Sequence, residues 1–110
     1  MHTKNQIARM QLNNYSHRQR LFARFGRLAE PCWILLLRIY VDENSGQTGV
    51  QRIIGGLNYG ETTLLRYLEK LEKEQFIQSR IDKKDRRVRK IALTSAARFA
   101  VEHLLSLEAK

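Results

Sequence analysis

A mainly α-helical fold carrying one small two-stranded β ribbon is predicted by three observations. The first is the apolar stripe Leu64, Leu68 and Leu71, spaced i, i+4 and i+7 as on one face of an amphipathic helix. The second is a pair of runs that alternate with a period of two. Ile77, Ser79 and Ile81 alternate with Gln78 and Arg80, and Arg89, Ile91 and Leu93 alternate with Val88, Lys90 and Ala92. The third is the polar turn Asp82-Lys83-Lys84-Asp85-Arg86-Arg87 that joins the two runs.

The 110 residues, 43% of them hydrophobic, suffice for one domain with a modest core, and one Pro and six Gly argue against disorder. A net charge of +9 implies an anionic partner, nucleic acid before an acidic membrane surface. The single cysteine precludes an internal disulfide and fits a reducing cytoplasm. No apolar run approaches the roughly 18–20 residues of a membrane span. The polar start, MHTKNQIARMQLNNYSHRQR, does not read as a secretory leader. The expected setting is therefore cytoplasmic, and no membrane partner is expected.

In chain order, residues 4–25 form a predicted helix with a weak apolar patch at Ile7 and Met10 and a stronger one at Leu21, Phe22, Phe25 and Leu28. Lys4, Arg9, Arg18, Arg20, Arg24 and Arg27 are its charges, with no acid before Glu30, and Gly26 is expected to end or bend it. This stretch suits a DNA-contacting arm, a membrane-surface helix or half of a dimer interface, although Gln11-Leu12-Asn13-Asn14 breaks the apolar moment that a membrane helix needs. Glu30-Pro31 opens a second helix, because proline is favoured in a first turn. Trp33, Leu36, Leu37 and Tyr40 give it a buried stripe, and it should end near Asp42-Glu43-Asn44. Cys32, at its opening, reads as a buried and inert thiol.

Ser45 to Gly49 is a turn into a short helix carrying Val50, Ile53, Ile54 and Leu57. A second turn, Leu57-Asn58-Tyr59-Gly60, leads to the helix of the leucine stripe, with Gly60 as N-cap and Glu61 favourably placed at the positive end of the dipole. Short helix, glycine-containing turn and longer amphipathic helix together make a helix-turn-helix. In that motif the second helix enters the major groove while the first crosses the backbone. Gln47 and Thr48, ahead of the first helix, are candidate phosphate ligands. Opposite the leucines lie Thr62, Thr63, Arg66, Glu69, Lys70 and Lys73, with Leu65 at the N-terminal end of that side. Methyl groups suit thymine, hydroxyls suit base edges or phosphate, and arginine suits guanine or phosphate. On the ribbon, Arg80, Lys83, Lys84, Arg86, Arg87, Arg89 and Lys90 stand against Asp82 and Asp85. Such a density of like charge repels itself unless a polyanion approaches.

The stretch TTLLRYLEKLEKEQFIQSRIDKKDRRVRKIALTSAA resembles the second half of a MarR-type winged helix-turn-helix repressor. The matching pieces are Leu71-Glu72 ending the recognition helix, Asp85-Arg86-Arg87 at the wing tip, and Leu93-Thr94 opening the next helix. The resemblance implies that Arg87 enters a minor groove and that Asp85 braces it by a salt bridge. Thr94 is then the cap of a last helix whose apolar positions are Phe99, Val101, Leu104, Leu105 and Leu107. The family usually continues into a further long helix, so here dimerisation is expected to rest on the first and last helices or to be weak, and no effector is assigned.

The resulting division is an N-terminal helical arm over 1–28, a winged helix-turn-helix over 29–94 and a C-terminal helix over 95–110. His2, His17 and His103 are scattered, and neither a metal set, a nucleophile elbow nor a phosphate-binding glycine loop is present, since Gly55-Gly56 lacks the Lys-Ser/Thr of a P-loop. No enzyme activity and no cofactor are expected. The sequence reads as a double-stranded DNA-binding transcriptional regulator that acts by promoter occupancy, as a homodimer. Its expected contacts are Thr62, Thr63, Leu65, Arg66 and Lys70 on the helix, Lys83, Lys84, Asp85, Arg86, Arg87 and Arg89 on the wing, and Gln47 and Thr48 at the backbone. The alternative is a winged-helix protein-interaction module with only nonspecific DNA affinity; an RNA-binding role ranks last, because the aromatic stacking surface of single-strand readers is lacking.

Overall fold

A computed structural model describes residues 2–23, 29–46 and 49–108. Five helices and two strands follow one another: α1 (Lys4–Leu21), α2 (Glu30–Ser45), α3 (Val50–Gly55), α4 (Glu61–Lys73), β1 (Ile77–Ile81), β2 (Arg89–Leu93) and α5 (Ser95–Glu108). α2 is the central element, packed against α3, α4, α5 and β2. That surround explains why its buried face is broader than the predicted stripe. Cys32, Trp33, Leu35, Leu36 and Ile39 are all buried, whereas Leu37 and Tyr40 are only half-buried at the margin.

α1 begins with a reciprocal cap. The Gln6 amide donates to Thr3 Oγ1 at 3.1 Å, and the Thr3 amide donates to Gln6 Oε1 at 2.8 Å. The helix stops at Leu21, short of the predicted residue 25, where Phe22 turns its ring into the core against Phe76 (centroids 5.0 Å apart) and Trp33 (6.5 Å). Phe25, Gly26 and Leu28, expected near the end of this helix, lie outside the described residues. Arg18 is held beside this cluster, 5.0 Å from the centre of the Trp33 ring and 3.1 Å from Glu30. It therefore serves docking of α1 onto α2 rather than an open cationic face.

α2 closes on Gly46, whose φ of 74° is the left-handed conformation that glycine adopts without strain. The predicted leucine stripe of α4 is fully inside, with Leu64, Leu68 and Leu71 at 0, 3 and 2% exposure. Each such side chain contributes about 1.5–3 kcal/mol by leaving water. α4 ends in a Schellman motif. The Phe76 amide donates to the Leu71 carbonyl (2.9 Å) and the Gln75 amide to the Glu72 carbonyl (3.0 Å), with Gln75 at φ 65°. Phe76 and Leu71 are both buried, which supplies the apolar contact of that motif.

β1 and β2 pair antiparallel, with Ile77 opposite Leu93, Ser79 opposite Ile91, and Ile81 opposite Arg89. Ile77, Ile91 and Leu93 reach the core, but Ile81 lies beyond its edge and is 56% exposed. An antiparallel bridge between Gly49 and Lys90 ties the segment before α3 to the ribbon. Thr94 caps α5 as predicted, its Oγ1 accepting from the Ala97 amide at 3.2 Å. Ala97, Val101 and Leu104 form the buried side of α5, while Phe99, predicted among the apolar positions, points to solvent and stacks on His103.

Candidate nucleic-acid interface

α3, the turn after Gly56 and α4 form the helix-turn-helix, with Gly60 as N-cap of α4 and Glu61 in its first turn. With the leucines facing inward, the 3.6-residue period turns Thr62, Leu65, Arg66 and Lys70 outward, and all four are exposed. Thr63 is half-buried, with its hydroxyl folded back to 3.8 Å from the place a Cβ would occupy on Gly60. Gln47 and Thr48 lie outside the described residues.

The wing tip is closed by two backbone bonds, Asp82 N–H to the Val88 carbonyl and Val88 N–H to the Asp85 carbonyl, each 2.9 Å. Its two acids organise its cations. Asp82 Oδ1 accepts from the Lys84 amide at 2.9 Å, and Asp82 Oδ2 lies 3.6 Å from Lys90 Nζ. Asp85 accepts from the Arg87 amide (3.0 Å), from Arg87 Nε (3.1 Å) and, at its second oxygen, from Arg87 Nη2 (3.2 Å). A planar guanidinium is fixed by such a two-point grip. The Arg87 side chain is nonetheless 90% exposed. The bonds from the Arg87 side chain, then from its amide, hold the Asp85 carboxyl below its ordinary range. Asp82 is likewise lowered, chiefly by the Lys84 amide. Lys83, Lys84 and Arg86 extend into solvent around this tip.

Arg89 behaves differently from its neighbours. Its Nη2 donates to Glu72 Oε2 at 3.0 Å and to Ser79 Oγ at 3.2 Å, and the Ser79 hydroxyl donates to the same Glu72 oxygen at 2.7 Å. This three-residue contact ties the root of the wing to the last turns of α4. On the other face of the ribbon Arg80 stands directly opposite Lys90, a like-charge pair that costs stability in isolation. A further link is Glu43 at the end of α2, which accepts from the Leu93 amide at 2.7 Å and pairs with Arg98 of α5. Glu72, Ser79 and Glu43 carry no local sequence signal for these ties, because their partners lie 7 to 55 residues away.

Among the described residues no group of His, Cys, Asp and Glu is placed to hold a metal ion, and no helix is long and apolar enough to cross a membrane. A helix-turn-helix followed by a hairpin braced against its second helix defines a winged helix. No family model and no curated protein matches the sequence. Solved structures do match the fold. S. aureus MepR in its complex with DNA superposes with a TM-score of 0.66 at 22% identity, over 99% of this chain and 79% of that one. The transcriptional regulator Tm0710 from Thermotoga maritima gives 0.68 at 16% identity, over 91% and 68%. MarR gives 0.64 at 19% identity, over 96% and 74%. The chain has the MarR-type winged-helix fold.

Proposed function

We propose that this protein is a sequence-specific double-stranded DNA-binding regulator of transcription that acts as a homodimer by occupying promoters. The observation that carries the reading is the wing tip, where Asp85 grips a guanidinium that is 90% exposed on a ribbon of mostly unpaired cations. An arginine fixed in that way, yet presented to solvent, suits the narrow minor groove of A·T-rich DNA, where negative potential is concentrated. Thr62, Thr63, Leu65 and Arg66 then face the major groove, with Lys70 nearer the backbone. Lys83, Lys84 and Arg86 meet phosphates, as do Gln47 and Thr48. Arg89 is assigned to bracing, since Glu72 and Ser79 engage it.

The dimer is supported by α1. None of its 18 residues is buried, and Ile7, Leu12 and Tyr15 are exposed along it. A helix of that length gains most of its stability from packing, so a second copy laid on α1 and α5 accounts for it. In this arrangement residues 1–28 and 95–110 serve pairing and 29–94 serve DNA. Two copies related by a two-fold axis read inverted half-sites about one turn, on the order of 10 bp, apart.

Selection from a random duplex pool, followed by titration against salt, tests the reading. Binding should fall steeply as salt rises. Arg87→Ala should weaken A·T-flanked sites by roughly 1–3 kcal/mol. A flat salt dependence, or unchanged affinity in Arg87→Ala, favours a protein-interaction module instead.

A further inference from the structure

Arg38, on α2, lies outside both the recognition helix and the wing, yet it is seated against the turn of the helix-turn-helix. Its Nε donates to Asp42 Oδ2 at 3.0 Å, and the Asp42 side chain is only 8% exposed. Its guanidinium carbon and two terminal nitrogens stand 3.2, 3.3 and 3.2 Å from the point where a Cβ on Gly56 would sit. Three nearly equal distances mean that the flat group faces Gly56 broadside. Gly56 is the C-cap of α3 and the first residue of the turn that leads to α4, four residues ahead of the N-cap Gly60. A Cβ at position 56 would sit closer than ordinary van der Waals contact, so the guanidinium would have to shift by a few tenths of an ångström. Gly55, by contrast, has nothing within 4 Å of its own Cβ position. The Arg38 side chain is 32% exposed, and among the described residues neither terminal nitrogen has an acceptor.

We propose that Arg38 is a preformed phosphodiester contact, a third anchor on duplex DNA beside the recognition helix and the wing. The proposal rests on the DNA-binding reading given above. A buried carboxylate paired with arginine adds little net stability over apolar packing, so the arrangement is poorly explained as a stabilising device. What it does achieve is to fix a planar fork in advance beside the helix-turn-helix turn, with about a third of the side chain open to solvent. Such a fork matches phosphate oxygens two at a time, and the rotamer entropy normally lost on binding is spent during folding. The N-terminal part of the second helix is the part that approaches the bases, so the flanking backbone passes close to the preceding turn.

The test is the salt dependence of duplex binding by the full chain. Arg38→Met removes the contact, and Arg38→Met with Asp42→Asn removes it together with the charge of the buried carboxylate that grips it. Both variants should bind about five- to tenfold more weakly near 0.1 M salt, equally on selected and random duplex, with a log–log salt slope shallower by about 0.9. Gly56→Ala should weaken binding with the charge unchanged, and Gly55→Ala should not. Arg38→Lys should keep the slope. Should the folded double variant keep the wild-type slope, Arg38 touches no phosphate and the inference is overturned. Should inorganic phosphate at fixed ionic strength protect the wild type from heat but not Arg38→Met, the fork holds a free anion and the inference is likewise overturned. A wild type without salt-dependent duplex binding removes the DNA-binding reading together with this one; an unchanged slope in the variants removes this one alone.

Discussion

Glu43→Ala should be among the more damaging changes to a charged residue in this chain, and its cost can be worked out from two contacts. The carboxylate is 12% exposed at its side chain and accepts the Leu93 amide at 2.7 Å, at the root of the wing. A hydrogen bond to a charged acceptor is worth about 1.5–3 kcal/mol, and its loss leaves a buried amide without a partner. The second contact, with Arg98, adds less, because that guanidinium is 38% exposed and water screens it to roughly 0.5 kcal/mol. The expected loss is therefore about 2–3 kcal/mol. For a domain near this size that lowers the melting temperature by roughly 8–20 °C. Urea unfolding of wild type, Glu43→Ala, Glu43→Gln and Arg98→Ala measures it. Glu43→Gln keeps an acceptor for Leu93 and should lose only about half as much. Amide exchange at Leu93 should accelerate in Glu43→Ala ahead of the rest of the core. A loss below about 0.5 kcal/mol, or larger damage from Arg98→Ala than from Glu43→Ala, would refute the assignment of the Leu93 bond as the main term.

Gln75→Gly should stabilise the fold by roughly 0.5–1 kcal/mol, read as a rise in the urea midpoint, because glycine adopts the φ of 65° without a Cβ clash. Burial raises the Cys32 thiol above its ordinary 9.0, against a smaller opposing effect of Lys70, so the folded protein should react with a thiol reagent near pH 8 far more slowly than the unfolded chain. Asp85 is held below its ordinary 3.8, so its grip on Arg87 is fully present above that pH and is lost as pH falls through the lower folded value. Carbon-detected titration of the Asp85 carboxyl should show a midpoint under 3.8, and Arg87→Ala should move it upward.

Local periodicity made the architecture legible. The Leu64, Leu68 and Leu71 stripe, the alternation on either side of the wing turn, Pro31 in a first turn and Thr94 as a cap each act within a few residues of themselves. The structure places them where these local rules predict. The tertiary ties were not legible for the same reason. Nothing near Glu43 announces that its partners are Leu93 and Arg98, and nothing near Arg89 announces that this exposed arginine also leans on Glu72. Gln75 hid the end of α4, because a left-handed residue there is normally signalled by glycine. Phe99 and Ile81 obeyed the pattern of their elements in sequence, but no neighbouring element reaches far enough to cover them. Composition likewise pooled Arg18 with the other cations of α1, although Trp33 and Glu30 hold it at the core.

The hairpin has a property that concerns neither folding nor DNA. It is a sheet of only two strands, and β2 meets the chain again at Gly49 on its far side, whereas β1 pairs with β2 alone among the described residues. The outer rim of β1 thus offers backbone donors and acceptors to any extended strand, the usual route to ribbon-on-ribbon association. Arg80 at the end of that rim, with Lys83 and Arg86 beyond it, would meet identical charges on an approaching copy. The cations of the hairpin therefore also act as gatekeepers against self-association, and concentrated salt, by shortening the reach of their repulsion, removes that safeguard.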